Sequence, residues 1–451
     1  MKNIFTLPFY IIVFSIFLFY KSFSQTETQA FSTVDETKAL EYEKATWYEF
    51  KDAAVTFTFD DAYLNHFKIA MPMLEQRGFR GTFYVVTSRV GDGQTPVWDT
   101  LAAIAAKGHE IGSHTVNHAL MATIYPSNKD SSKMELDSSK RRIDRHIFPE
   151  KCETMCWPGG SVNYQSTVLG SQYYISCRGS GYILQPNIPY DFYNVYSKGP
   201  YSDTTSQIMN GWVDQVITKK GWLIDRIHGI DTNGYEPVPS SEFAIHFDYI
   251  KSHENQLWVA TYKNVIKYIR ERMYASLKLI DSTSSYYSFS LTDNLANDVY
   301  NLPLTLKVKL KGQMNNLLTI SQNNDTLPFT IINNNGFAYA VFSAIPDNGE
   351  IRFCLPPNGI KNDNKVDQKL SCYPNPFKSN SSISYFINKK DYVSLNLYDL
   401  NGKKVKSLVN KIQNTGVYCI NFNVENLHPS AYILKLETNN KQESIKISIN
   451  K

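Results

Sequence analysis

Apolar and polar residues alternate along this chain in two textures that change near residue 280. Before it, short apolar runs take turns with longer stretches of helical period. Val55, Phe57 and Phe59 alternate with threonines, the period-two pattern of a half-buried strand. Residues 63–77 follow with helical spacing and stop at Gly78. Strand signals recur at 81–86, 109–113, 153–157, 173–177, 222–228 and 257–261, with helix-like stretches at 97–107, 130–146 and 202–219 between them. A last helix over 263–278 puts Val265, Ile269 and Met273 on one face. Such alternation predicts an α/β domain over 50–279, its mainly parallel sheet either open or closed into a barrel. Past residue 280 the runs shorten. Residues 304–310 keep a clean period of two, and Asn333-Asn334-Asn335-Gly336 reads as a turn. A β-rich module over 281–356, a polar linker over 357–370 and a second β-unit over 371–451 complete the expected order.

The ends and the composition narrow the setting. Lys2 precedes an uncharged apolar stretch over 4–20, and Ser22-Phe23-Ser24 offers small residues for cleavage. This reads as a signal peptide over 1–24, cut before Gln25; the alternative is an uncleaved membrane anchor. No later segment is apolar enough to span a membrane. Charged residues make up 20% of the 451 and the formal net charge is +4, so no nucleic acid partner is implied. The basic run Lys140-Arg141-Arg142 fits the solvated side of a helix. Aromatic residues reach 14%, which suits β-rich domains and sugar-stacking surfaces. Six cysteines in an exported chain permit disulfides, their spacing matches no zinc module, and their pairing is not readable.

Two clusters carry candidate chemistry. Asp60-Asp61 ends the strand after Phe59, at the carboxyl end where α/β folds place their sites. A surface turn would also account for the pair. His114 and His118 follow another strand, and two histidines four apart can meet one metal ion. With Asp61 they make two imidazoles and a carboxylate, a ligand set that leaves coordination positions open.

Here the chain resembles the polysaccharide deacetylases of carbohydrate esterase family 4, the NodB homology domain. The resemblance runs from about Ala53 to Lys278 and rests on Thr58-Phe59-Asp60-Asp61-Ala62 and His114-Thr115-Val116-Asn117-His118. The family has glycine where Ala62 stands. The resemblance implies a distorted (β/α) barrel deacetylase domain, followed here by two small all-β sandwich-like modules. It implies Asp60 as catalytic base and Asp61, His114 and His118 as ligands of a divalent metal, by default Zn2+, with Co2+ or Ni2+ also suitable. Trp157, Pro158 and Gly159 look like the family's groove-wall loop. Many members carry an arginine where Cys156 stands, and Arg178 is the expected substitute beside the base. His228 looks like the acid that protonates the leaving group, with Asp191, Asp214 and Asp231 as candidates to orient it. His66, His109, His146, His246 and His253 match no motif and read as structural or surface residues.

The last eighty residues resemble the C-terminal sorting domain of type IX secretion found in Bacteroidetes. Cys372-Tyr373-Pro374-Asn375-Pro376-Phe377 and the strands around Leu395 and Leu434 carry that likeness. It implies passage across the outer membrane by the type IX machinery, often with removal of this domain, to the cell surface or medium. The expected function is hydrolysis of N- or O-acetyl groups on a chitin-like, peptidoglycan or xylan polysaccharide. A catalytically silent, secreted sugar-binding protein is the second reading.

Overall fold

A computed structural model describes residues 40–125, 127–181, 183–283, 286–355, 370–424 and 427–450. The expected signal peptide and nearly all of the expected linker lie outside the described residues. Eight strands open the chain: β1 (Tyr42–Lys44), β2 (Ala53–Phe59), β3 (Thr82–Val85), β4 (Glu110–Ser113), β5 (Thr154–Cys156), β6 (Ser176–Arg178), β7 (Trp222–Ile227) and β8 (Leu257–Val259). All but β1 form one sheet in the order β6-β5-β4-β3-β2-β7, with β8 also on β2, and every neighbouring pair is parallel. Parallel neighbours need crossovers. Helices such as Trp98–Ala106, Lys129–His146, Ser206–Lys219 and Ser240–Ser252 supply them, and Tyr262–Tyr274 follows the last strand.

The sheet curls until its edges nearly meet, and an irregular segment closes it. The Val195 N–H donates to the Cys177 carbonyl, the Lys198 N–H to Ile224, and the Arg226 N–H back to Lys198. Residues 195–198 thus bridge β6 and β7 where no regular strand does. The result is a distorted barrel of parallel strands wrapped by helices.

Closure changes the reading of β2. All seven of its residues are buried, not half of them. Val55, Phe57 and Phe59 pack under the helices with Phe243 and Phe247, the Phe57 and Phe247 rings meeting edge-on at 4.8 Å. Each such ring contributes roughly 1.5–3 kcal/mol by leaving water. The threonines face the barrel interior, where their hydroxyls need partners. Thr56 donates to the Ala260 carbonyl and accepts from the Trp222 indole, and Thr58 donates to the Asp225 carbonyl.

The helix expected over 263–278 stops at Tyr274, and a strand begins at Ser276. Val265 and Ile269 are buried, but Met273 is exposed. From there the regular structure among the described residues is β-strand, apart from a short 3-10 helix at Gly312–Asn316. The strands β9 (Ser276–Ser282), β10 (Tyr286–Thr292), β11 (Leu304–Lys309), β12 (Thr319–Gln322), β13 (Asp325–Leu327), β14 (Phe329–Asn334), β15 (Phe337–Ala344) and β16 (Ile351–Cys354) build two sheets. Their orders are β1-β11-β15-β14 and β13-β12-β16-β10-β9. Phe342 of one sheet meets Phe353 of the other at 5.4 Å. The edge strand β1 comes from ahead of the barrel, pairing Tyr42 with Val308; its three residues carry no pattern that a sequence reading could catch.

The final unit places β17 (Ser371–Tyr373), β18 (Asn380–Ile387), β19 (Asp391–Tyr398), β20 (Lys404–Gln413), β21 (Gly416–Asn423), β22 (Ala431–Glu437) and β23 (Gln442–Ser448) in two sheets, β17-β18-β21 and β20-β19-β22-β23. Ile383, Tyr385, Leu395, Leu397, Leu434 and Leu436 fill its core. A disulfide joins Cys354 of β16 to Cys419 of β21. The other four cysteines are free and buried.

Candidate active site

The carboxyl ends of the barrel strands open into a cleft of about 500 Å³. Asp60 and Asp61 leave β2 there. Asp61 has φ +66° and Ala62 φ +54°, a left-handed turn that costs a residue with a Cβ but would suit the family's glycine. This turn aims the two carboxylates in different directions. Thr115 and His118 also have positive φ, at +64° and +59°, so the loop after β4 is bent as sharply. Its anchor is Glu135, which accepts from the backbone N–H groups of Val116 and Asn117, each at 2.8 Å.

These bends bring Asp61, His114 and His118 together. Asp61 Oδ1 lies 3.9 Å from His114 Nε2 and 3.5 Å from His118 Nε2. One donor atom from each residue lies within 4.8 Å of the others. Asp61 Oδ1 is buried and has no hydrogen-bond partner among the described residues. An orphaned carboxylate oxygen facing two imidazoles suits a divalent cation. His114 Nδ1 can donate to the Cys156 carbonyl at 3.0 Å, which leaves Nε2 as the free lone pair. Tyr63 stands beside Asp61; burial, with that carboxylate next, pushes its phenol up to about 12.

Asp60 occupies a different environment. Burial acts to raise its pKa, but the Arg178 guanidinium, with His228 and His114, holds it well below the usual carboxylate range. Arg178 donates from Nη2 to Asp60 Oδ1, and both side chains are buried. The buried Cys156 thiol lies 3.6 Å from the same oxygen and 2.8 Å from His114 Nδ1. His228 Nε2 approaches Asp60 Oδ2 at 3.4 Å. Burial lowers the pKa of His228, which Asp60 only partly opposes, and Arg178 and Arg226 lower it further.

Asp191, Asp214 and Asp231 do not orient His228. Their carboxylates accept from the Tyr193 N–H, the Tyr249 hydroxyl and the Ser240 N–H respectively. The residue that holds this segment is His66, buried beneath it, with Nε2 against the His228 carbonyl. Burial takes the His66 pKa down to about 4, so it stays neutral.

Of the expected groove-wall loop, Trp157 and Gly159 line the cleft and Pro158 does not. Trp157 lines the cleft although it is only 1% exposed, its indole N–H donating to the Tyr193 carbonyl. Pro158 is buried. Gly160 reaches the cleft as well, and there (φ +64°) a Cβ would collide with the Ser180 hydroxyl. Tyr63, Arg89, Ser180, Tyr201, Arg226 and Tyr235 complete the lining. None of these six carries a local signature, and only the folding of separate loops brings them together.

Residues 48–174 match the family model described as polysaccharide deacetylase, and residues 371–450 match that of the secretion system C-terminal sorting domain. A gellan lyase of a Bacillus species is 25% identical over 365 residues, covering 74% of this chain and 14% of that protein. A chitin deacetylase of Colletotrichum lindemuthianum is 30% identical over 93 residues, 20% of this chain and 37% of its own. The chain therefore spans well under half the length of either relative. Among solved structures, a peptidoglycan N-acetylglucosamine deacetylase aligns over 49% of this chain and 95% of its own at 16% identity, with a TM-score of 0.35. The sorting domain marks the chain for export to the cell surface or medium. Among the described residues no helix is long and apolar enough to cross a membrane. The chain carries a polysaccharide deacetylase domain, followed at its C-terminal end by the sorting domain of a secretion system.

Proposed function

We propose that this chain is a metal-dependent hydrolase that removes N- or O-acetyl groups from a polysaccharide, exported by the type IX machinery. The observation that carries the reading is Asp61 Oδ1, buried without a hydrogen bond and facing His114 and His118, with the separate carboxylate of Asp60 alongside. Asp61, His114 and His118 would hold the ion. Zinc is the default for two imidazoles and a carboxylate, with cobalt or nickel also suitable. When bound, the ion supplies Lewis acidity toward an acetyl carbonyl and toward water.

The chain's own groups do the rest. Asp60, kept ionised and fixed in direction by Arg178, accepts a proton from the attacking water at Oδ2, the oxygen that Arg178 leaves free. His228 Nε2, 3.4 Å from that oxygen, passes a proton to the departing sugar amine or hydroxyl. A lowered pKa makes the protonated imidazole a stronger acid, and the proton that Asp60 takes from water can replace the one His228 donates. Gly159 and Gly160 leave room for the glycan backbone.

The test uses the full chain. Metal content and acetate release are measured on acetylated xylan, chitin oligosaccharides and peptidoglycan. About one equivalent of metal and acetate from at least one glycan are expected, with Asp61→Asn losing the metal and at least about 100-fold in rate. Bound metal without acetate from any acetylated glycan would instead favour the silent sugar-binding reading. That alternative draws on Ala62 and Cys156, where the family's pattern breaks.

A further inference from the structure

Three guanidinium groups line the cleft against two carboxylates. Arg178 is paired with Asp60, and Arg89 Nη1 lies 3.6 Å from Asp61 Oδ1. Arg226 has no carboxylate partner among the described residues, and its Nε is buried without a hydrogen bond. A guanidinium keeps its charge in any environment, so this one lacks a counterion.

Its position is built. Arg226 lies on β7, two residues before His228, and both line the cleft, as alternation along the strand would place them. Neighbouring Asp225 points the other way, into the helix layer, and pairs with buried His246 at 3.0 Å. Gly199 lies against the guanidinium, where a Cβ would come within 2.8 Å of Arg226 Nε. A two-residue step along a strand is about 7 Å, so a group bound at Arg226 sits roughly one sugar ring from the proton donor. The chain as a whole carries only +4, so the excess positive charge in the cleft is local.

We infer that the cleft is built for an anionic glycan, and that Arg226 receives a carboxylate on the acetylated sugar or its neighbour. A planar carboxylate matches the guanidinium fork. The substrate class is then an acetylated polysaccharide containing uronic acid, rather than a neutral one. This rests on the deacetylase reading and sharpens it.

The test compares the full chain with Arg226→Met and Arg226→Lys. The substrates are acetylated oligogalacturonate and its carboxyl-reduced counterpart with the same acetyl groups. The wild type is expected to favour the carboxylated form in kcat/KM, and Arg226→Met to cut that preference about tenfold or more, mainly through KM, with lysine retaining part of it. Separately, unacetylated oligogalacturonate should bind the wild type in a salt-sensitive manner and bind Arg226→Met more weakly. An equal preference in wild type and Arg226→Met would overturn the inference while leaving the deacetylase reading intact. Tighter binding of a sulfated oligosaccharide than of oligogalacturonate would overturn the carboxylate assignment. Absence of acetate release from every substrate would defeat the deacetylase reading, and the binding measurement would still decide the role of Arg226.

Discussion

Arg178 and Asp60 form a buried ion pair at the floor of the proposed chemistry. Removing the guanidinium leaves a buried carboxylate without its counter-charge, which typically costs about 3–5 kcal/mol. Arg178→Met should therefore lower stability by that order. It should also raise the Asp60 pKa, moving the acid limb of the kcat/KM profile to higher pH, with a fall in kcat of about 100-fold. Arg178→Lys should recover part of both. A pH profile identical to wild type would show that Arg178 only fills space. The acidic pair and the two histidines were legible in the sequence because each cluster sits on one short loop. Arg226 carries no local signature, and its place in the cleft depends on which side of β7 it occupies. The aspartates considered for orienting His228 failed for a similar reason, since a carboxylate's partner is fixed by tertiary contacts and not by spacing.

At the level of elements, β2 shows how a correct period can carry a wrong inference. Threonine alternating with aromatic and aliphatic residues reads as one wet face and one dry face. In a barrel both faces are dry, and the hydroxyls are satisfied internally. Thr56 serves two groups at once, the Ala260 carbonyl and the Trp222 indole N–H. Thr56→Val keeps the shape but strands both, and should destabilise the protein by about 1–3 kcal/mol in denaturant unfolding. A neutral effect would mean that water already serves those groups. Most parallel strands and the helices between them were legible from periodicity. The closing segment 195–198 was not, because irregular backbone held by single bridges leaves no repeating pattern.

Across the whole molecule, the barrel and the middle module meet through specific groups. Glu271, at 0% exposure on the last barrel helix, accepts the Leu302 N–H at 2.8 Å. Burial pushes its pKa up to about 8, so the fold favours the protonated form. That contribution is present in full below the unfolded value of about 4.3 and is lost as the pH rises through about 8. Glu271→Gln is neutral at every pH and keeps an acceptor for Leu302. Its melting temperature relative to wild type should rise by several degrees between pH 5 and pH 9. A gap that does not vary with pH would rule out this titration.

The bond between Cys354 and Cys419 spans 65 positions, from the middle module into the sorting domain. A protease acting anywhere between those residues opens the chain without separating its fragments. On a gel run without reductant, protein nicked once there should stay a single species; dithiothreitol should split it in two. For a cut in that interval, detaching the export signal from the enzyme takes two unrelated events, a hydrolysis and a reduction.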